Sequence, residues 1–247
     1  MNTISKKLLC VALLILPLHF LVAQEISRDL ESFRKIIVSP RINLVLEKGD
    51  QESIRLLYSN VPADKINITI QNNTLRVYLD DAKVNEKTER VNPYERRSIY
   101  HNVTLTAYVT YKELEHLEIR GNQELTCNGP LRAERFTLKA YGENEIKLAS
   151  VKADYLRTSL YGENDLKIRG GKAEYQKYKL FGENRIDTHE LKSYSATANS
   201  FGESQITLST QDQLRINAFG ESQISYNGNA DVNKGLVFGN TTIHKLD

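Results

Sequence analysis

Two side-chain columns recur through the second half of the chain at a fixed distance from a glycine. The phrases are Tyr141-Gly142-Glu143-Asn144, Tyr161-Gly162-Glu163-Asn164, Phe181-Gly182-Glu183-Asn184, Phe201-Gly202-Glu203-Ser204, Phe219-Gly220-Glu221-Ser222 and Phe238-Gly239-Asn240-Thr241. The carboxylates Glu143, Glu163, Glu183, Glu203 and Glu221 suit a hard cation. If they stack in register, like charges lie close together, which is unfavourable unless offset. Lys147, Lys167 and Arg185 could offset them, or Ca²⁺, which prefers carboxylate oxygens. Weak Ca²⁺ binding at this column is one expectation, and a splayed, solvated row is the other. The aromatic column Tyr141, Tyr161, Phe181, Phe201, Phe219 and Phe238 has two readings as well. Facing outward, it forms an apolar strip on which a glycan ring or a cell-surface protein could lie. Turned inward, it forms a buried stack that supports the turn.

Catalytic chemistry has little footing. Beyond residue 23 the histidines are His101, His116, His189 and His244, and none shares a short motif with Cys, Asp or Glu that fits a metal site. The sequence has no nucleophile elbow, phosphate loop or dinucleotide fingerprint. A polysaccharide-cleaving enzyme on a repetitive β scaffold would need an acidic or basic cluster that breaks the repeat. Residues 80–98 are the one large interruption.

The elements that position these columns follow from their period. The corner glycines advance by 20, 20, 20, 18 and 19 residues, and a weaker copy, Gly121-Asn122-Gln123-Glu124-Leu125, precedes Gly142 by 21. Such spacing marks a solenoid, whose repeats bury their apolar faces only against one another. On either side of each glycine, alternate positions are apolar: Leu138, Ala140, Ile146 and Leu148 in one repeat, Leu214, Ile216, Ala218 and Ile224 in another. The intervening positions are mostly polar. That alternation predicts strand, tight turn and strand in every repeat, with one face in and one out. Gly142, Gly162, Gly182, Gly202, Gly220 and Gly239 are then corners that need positive φ. Asn144, Asn164 and Asn184 are structural turn residues whose amides can bond along a ladder. The expected fold is all-β: a parallel right-handed β-helix or solenoid over residues 119–247, preceded by an irregular N-terminal β region.

That N-terminal region, residues 24–118, reads as a polar, flexible lead-in over 24–34, then period-two runs such as Ile42, Leu44, Leu46 and Leu75, Val77, Leu79. A charged loop spans 80–98, and Lys112–Leu117 could form one helical turn. Residues 1–23, with Lys6 and Lys7 before the apolar run Leu8 to Leu18, have the shape of a secretory signal peptide. This predicts export, to periplasm, envelope surface or medium. Without Lys6 and Lys7 the formal charge falls from +2 to 0. A neutral chain has no general attraction to nucleic acid. Beyond residue 23 no run is apolar enough to cross a membrane, and Cys127 is the sole cysteine there, so no internal disulfide forms.

The Gly-[Glu/Asn]-[Asn/Ser/Thr]-x-[Ile/Leu] turns resemble those of the putative auto-transporter adhesin head GIN domain family. So does the layout of Phe33 to Val38, Ile42-Asn43-Leu44-Val45-Leu46, Ile66 to Leu79 and Leu114-x-x-Leu117. The resemblance covers roughly residues 33–230. It implies a secreted β-helix-like fold with two main sheets joined at the turns, a role in adhesion, and no catalytic residues to carry over. Glu follows most of the glycines here, where a small residue is common in the family, which changes the chemistry of the corner. The reading that follows is a non-catalytic, exported binding or adhesion protein that presents a repetitive face to a glycan or protein. The alternatives are an envelope-associated scaffold without a ligand and a carbohydrate-active enzyme. Open sheet ends would also permit homo-oligomers.

Overall fold

The structure, a computed structural model, describes residues 24–246; the predicted signal peptide lies outside them. It is nearly all β, with a β-solenoid of about five turns. The strands are β1 (Gln24–Asp29), β2 (Lys35–Val38), β3 (Asn43–Lys48), β4 (Ser53–Ser59), β5 (Ile66–Gln71), β6 (Thr74–Leu79), β7 (Thr88–Asn92), β8 (Glu95–Ser98) and β9 (Thr104–Tyr111). They continue with β10 (His116–Ile168), β11 (Gly171–Thr188), β12 (Lys192–Ser209), β13 (Gln213–Asn227), β14 (Asp231–Phe238) and β15 (Thr241–Lys245). The great length of β10 has a simple cause. Its corners at Gly121, Gly142 and Gly162 turn the chain without interrupting strand character.

Successive turns pair in parallel and in strict register. Tyr161, Gly162, Glu163 and Asn164 face Phe181, Gly182, Glu183 and Asn184, which face Phe201, Gly202, Glu203 and Ser204. The 18-residue step to β13 keeps this register, with Phe201 against Phe219 and Gly202 against Gly220. Each turn therefore contributes a pre-corner strand to one sheet and a post-corner strand to another. Their inner faces share a core in which Ile146, Leu166, Ile186, Ile206 and Ile224 are each no more than 1 % exposed. Burying one such side chain stabilises the fold by about 1.5–3 kcal/mol.

Three polar residues that interrupt the apolar columns, Gln176, Tyr178 and Thr188, satisfy one another. Tyr178 is fully buried, and its hydroxyl bonds Gln176 and lies 2.9 Å from Thr188 Oγ1. Burial pushes its phenol well above the usual range. Gln176 donates to the Leu191 and Ser209 carbonyls at 3.3 and 3.4 Å. The next turn carries Ala196 and Ala198 opposite Gln176 and Tyr178, so a bulky polar rung is followed by a small one. Close packing requires that compensation.

The N-terminal half continues the same stack. β2 pairs in parallel with His116–Ile119 and β3 with Leu125–Cys127, so β2, a corner at Arg41 and β3 make one further rung. Beyond it, β6 lies on β2 and β9 on β3, both parallel. Antiparallel strands then close the end: β5 on β6, β4 on β9 and β1 on β4. Three local expectations change. Residues 24–29 are not a loose lead-in but strand β1, held along its length by β4. Residues 80–98 contain an antiparallel hairpin, β7–β8. Lys112–Leu117 forms no helical turn; the chain bends and enters β10 at His116. Among the described residues no helix is long and apolar enough to cross a membrane.

Candidate functional site

The corners line up into a ridge. The corner glycines of the six phrases and Gly121 all take positive φ, from 94° at Gly182 to 121° at Gly202. A methyl group built on Gly162 would lie 2.4 Å from the Gly142 carbonyl oxygen, and each later corner repeats this contact with the corner before it. Stacking at strand spacing leaves no room for a side chain there.

Beneath the ridge runs an amide ladder. Asn144 Nδ2 donates to Asn164 Oδ1 at 2.8 Å, Asn164 Nδ2 to Asn184 Oδ1 at 3.1 Å, and Asn184 Nδ2 to the Phe181 carbonyl at 3.2 Å. All three side chains are buried. Where serine replaces asparagine, hydroxyls take over: Ser200 lies 2.8 Å from Ser204 and 3.1 Å from Ser222.

On the pre-corner side the six rings form one continuous stack. Centroids from Tyr141 through Phe219 are 4.9–5.0 Å apart with interplanar angles of 4–6°; Phe238 follows at 5.2 Å and 22°. The column faces outward, and its rings cover one another. Tyr141, Tyr161, Phe181 and Phe219 are half-buried, Phe201 is exposed, and Phe238 at the end is 60 % exposed. What faces solvent along the row is ring edge; the ring faces are taken by neighbours. The Arg120 guanidinium caps the other end, 4.6 Å from the Tyr141 ring. Burial pushes the Tyr141 phenol up, with Glu118 adding to the effect.

Glu118 anchors that end. It is buried, with Arg120 at 2.6 Å, His116 at 3.6 Å and Lys139 at 4.0 Å. The His116 ring first, then Arg120 and Lys139, hold its carboxyl down at about 2 against the upward push of burial.

On the other side of the corner Glu143, Glu163, Glu183, Glu203 and Glu221 form an exposed row. Together with the asparagines the first four of them line an open trough. Two of the three expected offsetting cations are engaged elsewhere: Lys147 pairs with Glu145 at 2.7 Å, and Arg185 donates to Gln205 at 2.9 Å. Glu143 accepts from Asn122 at 2.9 Å. Among the described residues no group of three or more His, Cys, Asp or Glu side chains is arranged to hold a metal ion.

The hairpin stands at the head of the ridge. Where the other turns pass the corner with a single positive-φ residue, glycine or Arg41, the chain between β6 and β9 makes the excursion that contains β7–β8. Its base is tied to the neighbouring corner by Arg41–Glu86 at 2.7 Å and by Ser39 Oγ donating to the Lys83 carbonyl at 2.7 Å. A recess of about 440 Å³ lies between the hairpin base (Val84, Glu86, Ser98) and Arg120, Gly121 and Tyr141. At the hairpin turn Tyr94 is 99 % exposed. Arg120 and Tyr94 escape a search for repeated glycines and aromatics. Arg120 was still legible in principle, because it precedes Gly121 as each ring precedes its own glycine.

The architecture and its ridge define the protein's class, a parallel β-solenoid with ordered rows of corner side chains. More particularly, the chain belongs to the putative auto-transporter adhesin, head GIN domain family, whose sequence profile matches residues 32–230. No curated protein matches the chain. Among solved structures it is similar to a putative adhesin from Bacteroides fragilis, with 18 % identity, 90 % of this chain and 97 % of that one covered, and a TM-score of 0.73. A putative adhesin from Parabacteroides merdae matches at 19 % identity, 91 % and 96 % coverage and a TM-score of 0.61. A protein from Parabacteroides distasonis described as a putative lipid binding protein matches at 15 %, 90 % and 97 %, and 0.61. At these identities the likeness concerns the fold.

Proposed function

We propose that this chain is a non-catalytic, exported adhesion-type protein whose contact surface for a cell-surface protein is the corner ridge. The observation that carries the reading is the straight row of six rings with open edges beside a parallel row of five exposed carboxylates. Long, regular, mixed apolar and charged surfaces suit protein contacts, where aromatic side chains anchor and charges set register. A sugar ring stacks on an aromatic face, and these faces are occupied by neighbouring rings. The projecting hairpin with Tyr94 at its turn adds an anchor at the head of the row. Export is supported by the N-terminal leader pattern and by the adhesin family.

The test uses the chain from Gln24 onward, labelled and added to intact bacterial and epithelial cells. Binding is expected to be lost when the cells are shaved with protease. It should fall at least tenfold in a Tyr94→Ser/Phe201→Gln/Glu203→Lys variant whose thermal unfolding is unchanged. Absence of cell binding, or binding indifferent to these substitutions, overturns the reading.

A further inference from the structure

The outward face of the pre-corner sheet carries a charge pattern that the ridge does not use. Register places Arg157, Lys177, Thr197 and Arg215 in one column over four consecutive turns. Two residues nearer the corner the column is Ser159, Lys179, Asn199 and Asn217, and two residues farther away it is Tyr155, Tyr175, Ser195 and Gln213. These twelve positions hold four cations, two tyrosines and no carboxylate. Arg157, Lys177, Lys179 and Arg215 are exposed. The ion pairs nearby, among the described residues, are made by other cations: Arg135, Lys139, Lys147, Arg169 and Lys172. Tyr155 and Tyr175 stack at 5.0 Å, and both are more than 40 % exposed. The row of corner glutamates lies across the corner, on a chain whose residues 24–247 sum to zero.

We infer that this face binds a linear acidic polysaccharide laid along the solenoid axis. Arg157 and Lys177 stand one turn apart at the strand spacing, about 4.8 Å, a step close to the advance of one sugar residue along an extended chain, and Arg215 follows two turns on, past Thr197. Among them stand the partly exposed hydroxyls of Ser195 and Thr197 and the exposed amide of Gln213, which suit a ligand rich in hydroxyls as well as carboxylates. An anionic membrane is a poorer partner, because peripheral binding needs apolar side chains to enter the interface, and this patch offers only tyrosines. Nucleic acid is poorer as well, because the tyrosine faces that bases would stack on cover each other. This inference rests on side chains other than those of the corner ridge, so either can fail alone.

Binding of polygalacturonate oligomers to the chain from Gln24 onward, followed by calorimetry at low salt, tests it. The unaltered chain should bind, weaken as NaCl is raised, and ignore neutral dextran. Arg157→Gln/Lys177→Gln/Lys179→Gln should lose at least tenfold in affinity. Lys147→Gln/Lys167→Gln, on the other sheet, should stay within twofold. The single substitution Lys179→Gln, at an exposed site, should lose about threefold and guards against a misfolded triple variant. The inference falls if polygalacturonate does not bind, if the two multiple variants behave alike, or if phosphatidylglycerol vesicles or a single-stranded oligonucleotide bind as tightly.

Discussion

At the scale of single residues, the corner is governed by whether another corner lies directly before it in the stack. Gly162 meets the Gly142 carbonyl, so alanine there adds both a positive-φ cost and a collision with backbone that cannot move aside. Gly162→Ala should lower the free energy of unfolding by about 3 kcal/mol. Gly170→Ala, whose added methyl would meet nothing closer than 3.8 Å, should be near neutral. Denaturant titration of the pair separates corner sterics from a general intolerance of substitution. The same logic explains why Arg41, with φ of 72°, holds a corner without glycine. The corner before it is opened into the hairpin excursion, so the steric ban is lifted. That exception was not legible in the sequence, because it depends on what the preceding turn does. Glu118 gives a second prediction. Its carboxyl is held at about 2, below the ordinary 4.5, so its contribution to stability is present above 4.5 and fades as pH falls toward 2. Glu118→Gln should be less stable than the unaltered chain by about 2 kcal/mol at neutral pH. The difference should shrink to nothing by about pH 2; a gap that persists there would show that packing, not charge, is what Glu118 supplies.

At the scale of elements, most of the fold was legible because one short period governed both burial and turning. The glycine spacing gave the rung, and the alternation around it gave the two sheets. The direction of the aromatic column was not legible. Alternation placed it outward, turn support placed it inward, and the structure does both, with rings outward yet covered by each other. Strand β1 was missed for a related reason: Gln24–Asp29 has almost no apolar pattern, and its order comes from backbone pairing with β4 rather than burial. The asparagine ladder makes a rung-to-rung connection testable. Asn164 accepts from Asn144 and donates to Asn184, and all three are buried. Asn164→Ala leaves a donor on one side and an acceptor on the other unsatisfied, so it should cost about 2–4 kcal/mol. Ser222→Ala, which removes one hydroxyl contact at the far end of the row, should cost about 1 kcal/mol. Equal losses would mean that the amides are not coupled as a ladder.

At the scale of the whole molecule, stability should be distributed as in a one-dimensional stack, where each turn is held only by the turns beside it. The two ends differ. At the N-terminal end antiparallel strands β1, β4 and β5 close the core, and β1 presents a polar edge that discourages further pairing. At the C-terminal end β14 and β15 are each paired on one side only, to β13, and Leu236 and Phe238 are more than half exposed. β11 and β12 have partners on both sides and a fully buried interior. Opening the last turn therefore breaks one ladder and exposes little that was buried, whereas opening a central turn breaks two and exposes a core layer. Amide exchange followed by mass spectrometry should show peptides from 231–246 exchanging at least tenfold faster than peptides from 171–209, under conditions where the chain as a whole remains folded. Extending the stack should reverse this. A copy of the 192–209 turn inserted between residues 229 and 230 would leave the last turn fast and slow the exchange of β13. Uniform exchange along the chain would instead mean that the solenoid opens as a single unit, and that its two ends contribute equally to its stability.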